Sequence, residues 1–203
     1  LTDGNLHNSW NLFPNDMTWL VETIKFISKI NNINWIIKPH PSEEIYKSKI
    51  NTKSIFKKYS HDRKNIKIFP DNYHINNLHN FIFCSITSHG SAGFQYPGLG
   101  VPSIICGDTP YSSLGFTIEP KTVKDYFYIL RNIHKSKISK KQILKAKLFA
   151  FIFDYLSVAK IPIINDSSIK MNYNKRKFWK DAVKCQKTKE FKSSFDDYLY
   201  HQI

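Results

Sequence analysis

The chain has 203 residues, 41% of them apolar and 15% aromatic, with only 7 Gly; this suits one globular domain with an appendage and excludes a disordered or fibrous chain. Its formal charge of +14 admits nucleic acid, anionic lipid or phosphorylated substrates as partners, although an AT-rich coding composition heavy in Lys, Ile and Asn gives the same charge with no partner at all. Only Arg63, Arg131 and Arg176 among the 30 basic residues are arginine, and the lack of arginine interleaved with exposed aromatics sets nucleic acid aside.

The chain starts at Leu1 with no basic segment leading into an apolar one, so no secretion signal is visible, and it reads as the C-terminal piece of a longer protein. The first predicted element is a helix over residues 15–30, with Met17, Leu20, Val21, Ile24, Ile27 and Ile30 at the three- and four-residue spacing of one helical face. Pro14 and Asp16 suit its first turn. Residues 33–38 follow as a short apolar run, the mark of a strand buried on both faces, and Pro39 and Pro41 stop it by removing backbone donors.

Two more buried strands are expected at 65–69 and 81–86, the latter leading directly into the small-residue stretch 87–93 and a short helix to about Leu99. A fourth strand is expected at 103–106. Short buried strands alternating with helices predict an α/β domain, a Rossmann-like, mainly parallel sheet flanked by helices. Helices are then expected over 122–133, capped by Thr122, and over 139–157, with Ile143, Leu144, Leu148, Phe151, Ile152 and Tyr155 on its apolar face and Lys140, Lys141, Lys145 and Lys147 near its start. Those lysines oppose the helix dipole, so packing or an anionic surface has to offset them. The most apolar stretch, 148–156, falls short of the roughly 18 residues that a membrane span needs. The domains are drawn at 1–164, for nucleotide-sugar binding, and 165–203, a basic and partly helical extension.

Ligands of open parallel sheets bind beyond the carboxyl ends of the strands, which puts three loops first in line. In the first, Lys38, His40, Pro41, Ser42 and Glu43 follow a strand; a histidine held between prolines can donate to a phosphate oxygen, or it is a plain loop residue between two turns. In the second, Thr87, Ser88, His89, Gly90, Ser91 and Gly93 combine small size with hydroxyl donors. That suits a phosphate cradle or a tight structural turn, and it matches neither the Walker loop nor the dinucleotide fingerprint. In the third, Tyr111 and Ser112 within 107–115 can reach a sugar or base, or form an ordinary turn.

Weaker groupings are His74 and His79 with Asp71, which lack a metal-ligand spacing, and Asp3-Gly4 with His7, an acid–base pair or a turn. Cys84, Cys106 and Cys185 are odd in number and widely spaced, and the first two read as buried thiols in a reduced, cytoplasmic setting.

The ordered set Trp19-Leu20-Val21-Glu22-Thr23, Asn34 to Pro41, Thr87 with Gly90-Ser91-Ala92-Gly93, Gly100-Val101-Pro102, and Tyr111 with Leu114-Gly115-Phe116-Thr117 resembles the C-terminal half of bacterial capsule and surface polysaccharide biosynthesis proteins. That family is glycosyltransferase-like, with the two-domain GT-B architecture, and includes the β-Kdo transferases. The resemblance implies a donor-binding domain for a nucleotide-activated sugar, CMP-Kdo or a related CMP-sugar, and a glycan or lipid-linked acceptor. It implies no metal or other cofactor. The basic surface then serves to steer anionic donors or to rest near anionic lipid, which with the reduced thiols reads as a cytoplasmic location with peripheral contact at the inner face of the membrane. His40 then acts on the leaving phosphate as the catalytic residue beside Pro41. Lys38, Ser42, Thr87, Ser88, Gly90, Ser91, Gly93, Gln95, Tyr111 and Ser112 bind the donor. Gln95 stands where the family has Glu and His89 where many members have Arg; glutamine bonds but cannot act as a base. A polyol-phosphate transferase or nucleotide-sugar epimerase of similar architecture, and a non-catalytic interaction module, are the alternatives.

Overall fold

The computed structural model describes residues 10–40, 43, 51–60, 62–70 and 78–156. The chain divides into two units, Leu1–Lys147 and Leu148–Ile203. The boundary expected at 164/165, the extension beyond it and Cys185 lie outside the described residues, as do Pro41, Ser42, Asp71, His74 and the Asp3-Gly4-His7 group.

The first unit is a mixed α/β structure. Helix α1 (Asp16–Ile27) starts where Asn15 caps it, its side chain accepting from the Thr18 amide at 2.8 Å. Strand β1 (Trp35–Ile37) pairs in parallel with β2 (Ile66–Ile68), with helix α2 (Thr52–Ser60) between them in sequence. Strand β3 (Ser85–Thr87) pairs in parallel with β4 (Ser103–Ile105), joined through helix α3 (Ala92–Gly98). Helix α4 (Val123–Arg131) is capped by Thr122, as expected, and helix α5 (Lys140–Phe151) runs into a π-turn, Ile152–Leu156.

Among the described residues the strands form two separate pairs, not one continuous sheet. Each strand has three residues, and proline bounds the ladders at several of their ends. Pro102 gives its carbonyl to the Ser85 amide at 2.9 Å but has no N–H with which to extend the β3–β4 pair. Pro39 and Pro70 follow β1 and β2 closely. Ile118 adds a bridge to β4, its carbonyl accepting from the Ile105 amide at 3.0 Å.

Only β4 is buried throughout. The expectation of strands buried on both faces fails for β1, where Trp35 is buried but Ile36 is exposed, and for 81–86, where Phe81 and Phe83 are exposed ahead of the paired residues. Phe81 belongs to the turn closed by its amide on the Leu78 carbonyl, outside the ladder. The apolar face expected on α5 is also not a buried one: Ala146 is buried, whereas Leu144 and Leu148 are exposed.

One apolar core joins both strand pairs. Phe13, Ile27, Trp35, Ile66, Ile104, Tyr126 and Leu130 meet there, drawn from the segment before α1, from α1 and α4, and from three strands. Tyr126 is fully buried at its centre, edge-on to Phe13 at 5.7 Å, and its hydroxyl shares a 2.8 Å hydrogen bond with Thr23 that ties α4 to α1. The hydroxyls of Ser85 and Ser103 meet in register across β3–β4, a polar pair satisfied inside the core.

Candidate functional site

Lys38 and His40 are both exposed beyond the carboxyl end of β1. The His40 carbonyl accepts from the Glu43 amide at 3.0 Å, which turns the chain sharply. Glu43 then reaches the first residue of α2, its carboxylate accepting from the Thr52 amide at 2.9 Å and the Thr52 hydroxyl at 2.5 Å. A carboxylate at a helix start satisfies orphan amides and suits the dipole, which ties Glu43 to the start of α2.

The turn beyond β3 is closed by the chain itself. Thr87 Oγ1 accepts from the Gly90 amide at 2.9 Å, and the Gly90 carbonyl accepts from the Gly93 amide at 3.0 Å. The Tyr111 hydroxyl donates to that same carbonyl at 2.6 Å. A Cβ on Gly93 would lie 2.2 Å from the Tyr111 oxygen, and one on Gly90 would lie 2.7 Å from Thr87 Oγ1. The small residues therefore make room for Thr87 and Tyr111. Tyr111 is buried among Phe94 and Phe116, and burial pushes its hydroxyl up to about 12.

Ser91 and Gln95 are exposed at the head of α3, where the Ser91 hydroxyl donates to Gln95 Oε1 at 3.4 Å. Ser112 is engaged in its own turn, with its hydroxyl accepting from the Thr109 amide at 2.9 Å. That loop is pinned by Glu119, which accepts from the Ser113 amide at 2.9 Å and the Thr117 hydroxyl at 2.7 Å.

Ser88 and His89 enter a polar cluster that the sequence reading did not assemble. Ser88 Oγ donates to Asp16 at 2.5 Å, His89 Nδ1 lies 3.0 Å from the same carboxylate oxygen, and His89 Nε2 lies 2.7 Å from Asn11 Oδ1. Burial raises the Asp16 carboxyl's pKa, but the hydrogen bonds from His89 and Ser88, with the charge on His89, outweigh that and hold it below its ordinary value. A Cβ on Gly107 would fall 2.0 Å from His89 Nε2, so the glycine after β4 admits the ring. Local pattern marks Asp16 only as a favourable charge at the start of α1 and assigns Asn11 no role. Periodicity has no means of pairing residues 72 and 78 positions from their partners.

The structure thus brings Thr87, Gly90, Gly93 and Tyr111 together, and Ser88 with Asp16. Its contacts keep Ser112 in a turn of its own. Cys84 and Cys106 have thiols pushed up to about 12 by burial, which leaves them as apolar packing groups. His79 sits on a short 3₁₀ turn, Leu78–Asn80. Among the described residues no three of His, Cys, Asp and Glu gather as a metal set, and no helix is long and apolar enough to cross a membrane. A further cleft of about 270 Å³ lies between Phe26, Lys29, Ile30, Asn31, Asn32 and Arg131. No family model, curated protein or solved structure matches the chain.

Proposed function

We propose that this chain is the donor-binding part of a metal-independent glycosyltransferase, a Rossmann-like domain of GT-B type. Its substrate is a CMP-activated sugar, CMP-Kdo or a relative, transferred to a growing glycan or lipid-linked acceptor in surface polysaccharide assembly. The supporting observation is that His40 and the 87–93 turn both follow the carboxyl ends of parallel strands, where α/β sheets take their ligands.

In this reading the exposed His40 imidazole donates to the phosphate that departs with the nucleotide. A positioned donor at developing negative charge lowers the barrier without a metal. Lys38, one residue beyond β1, adds positive charge, and Ser91 adds a hydroxyl at the head of α3. Thr87, Gly90, Gly93 and Tyr111 hold the turn in shape from beneath. The general base and the acceptor site belong to another domain. Calorimetry with CMP, UDP, GDP and ADP at low salt tests the reading. Selective CMP binding that His40→Ala weakens by about 1.5–3 kcal/mol, the range for a hydrogen bond to a charged group, supports it. Equal, salt-sensitive binding of all four that ignores the substitution overturns it.

A non-catalytic interaction module is the second reading. It is favoured by the filling of the glycine spaces at Gly93 and Gly107 by Tyr111 and His89, and it expects no nucleotide selectivity.

A further inference from the structure

Helices α1 and α4 bring their C-terminal ends to one cleft of about 270 Å³. Its walls are Phe26, Lys29, Ile30, Asn31, Asn32 and Arg131, all of the first unit. The residues 29–32 precede the amino end of β1, whereas His40 follows that strand's carboxyl end, so the cleft is a place apart from the proposed donor site.

Arg131, the last residue of α4, holds its guanidinium over the Phe26 ring, 5.3 Å from the centre, and Phe26 is itself stacked on Phe127 at 4.2 Å. A guanidinium held against a ring keeps its N–H fork for an acceptor and loses less freedom when it binds one. Lys29, two residues past the end of α1, is exposed at the same cleft. The acids of the two helices do not answer these charges. Glu22 is paired with Lys25 at 2.8 Å, and Asp16 and Asp125 stand in the first turns, at the far ends of α1 and α4. Among the described residues no carboxylate forms an ion pair with Lys29 or Arg131.

Cations at helix C-termini are favourable in themselves, and magnitudes decide how far that goes. Each helix end supplies about half a negative charge, so the two ends offset about one of the two positive charges. About one positive charge remains, which matches a carboxylate; a phosphate monoester brings about −1.5 to −2. Any cation serves a helix dipole, whereas the planar fork of Arg131 matches the two oxygens of a carboxylate. The amides of Asn31 and Asn32 are exposed and have no hydrogen-bond partner among the described residues. They supply the donors and acceptors that hydroxyl groups need, beside an apolar wall of Phe26 and Ile30. The 270 Å³ of the cleft falls below the range of about 300–1,000 Å³ for drug-sized ligands, so the ligand is small.

We propose that the cleft binds a small organic acid, a single carboxylate on a hydroxylated body of monosaccharide size, with the carboxylate between Arg131 and Lys29 and hydroxyls at Asn31 and Asn32. The inference is independent of which nucleotide, if any, the chain binds.

Amide NMR of the full chain at physiological salt tests it, with glucuronate as the probe, glucose as a similar body without the carboxylate, and inorganic phosphate as an anion without the body. Glucuronate is expected to shift the side-chain amides of Asn31 and Asn32 and to saturate in the millimolar range, with glucose and phosphate clearly weaker. Arg131→Gln should weaken glucuronate roughly tenfold or more, the loss of a hydrogen bond between charged groups, and Lys29→Gln about twofold to fivefold, as for an exposed ion pair. Arg131→Lys keeps the charge at the helix end without the fork, and should fall between the parent and Arg131→Gln. Circular dichroism checks folding; should Arg131→Gln unfold the chain, Arg131→Lys and Lys29→Gln decide the matter.

Shifts that stay linear in glucuronate overturn the inference, because they mark diffuse attraction to a +14 chain. Glucose binding as tightly as glucuronate overturns it by leaving the charges no part, and phosphate binding as tightly overturns it by showing a general anion site. Saturable binding of glucuronate that ignores the substitutions at Arg131 and Lys29 overturns it as well.

Discussion

The Tyr111 hydroxyl donates a 2.6 Å hydrogen bond to the Gly90 carbonyl, and its ring stands where a side chain on Gly93 would begin. The turn beyond β3 and the loop beyond β4 are therefore one packed unit. Gly93→Ala should cost about 1–3 kcal/mol, the range for overpacking a tight contact. Urea unfolding measures it, and the same substitution on a Tyr111→Ala background should cost clearly less. Equal costs on both backgrounds would mean that the ring is not the obstacle.

Gly107 is the corresponding point on the other side of the turn. Gly107→Ala sets a methyl 2.0 Å from His89 Nε2 and 2.7 Å from Asn11 Oδ1, so the ring has to leave Asn11. A loss of about 1–3 kcal/mol is expected, with recovery on a His89→Ala background. Thermal melts of the four proteins give the comparison.

Asp16 makes stability depend on acid. Its folded carboxyl titrates below the ordinary 3.8 because its bonds to His89 and Ser88 outweigh burial. A lowered carboxylate pKa adds stability above the unfolded value, and that contribution is lost as pH falls through the folded value. Unfolding midpoints should therefore drop below about pH 4. Asp16→Asn should flatten part of that drop and cost about 1–3 kcal/mol at neutral pH. A decline that is unchanged in the variant would assign the acid sensitivity elsewhere.

Cys84 and Cys106, with thiols near 12, should resist iodoacetamide in the folded chain at mildly alkaline pH and react once denaturant is added. Peptide mass spectrometry locates the label. Rapid native labelling of Cys106 would contradict the burial of β4's end.

Ser113 adopts φ +63°, the left-handed region that favours glycine. Ser113→Gly removes the Cβ strain and adds backbone entropy to the unfolded chain, with a net gain of up to about 1 kcal/mol. A measurable loss in chemical denaturation would show that the Ser113 side chain contributes more than its backbone costs.

The α/β class, the order of helices and strands, and the cap at Thr122 were within reach of local pattern. Hydrophobic spacing, proline and capping chemistry act over a few residues, and α1, α4 and α5 begin within one residue of their predicted starts, whereas α2 at Thr52 had no predicted start there. Of the candidate site, the place of His40 just beyond a strand end was legible for the same reason.

Other features depended on contacts far apart in the chain. An apolar run reads alike whether one or both of its faces are covered, so the exposure of Ile36, Phe81 and Phe83 could not be separated from burial. Glycine spacing at 90 and 93 fits an anion or an aromatic ring equally well, and the ring that fills the space comes from Tyr111, about twenty residues on. Asp16 and Asn11 reach His89 only because α1 and the segment before it pack against the ends of β3 and β4. Local composition dictated the elements of this protein; which side chain occupies the space beside each glycine was set by packing, because steric exclusion and hydrogen-bond satisfaction act between neighbours in space.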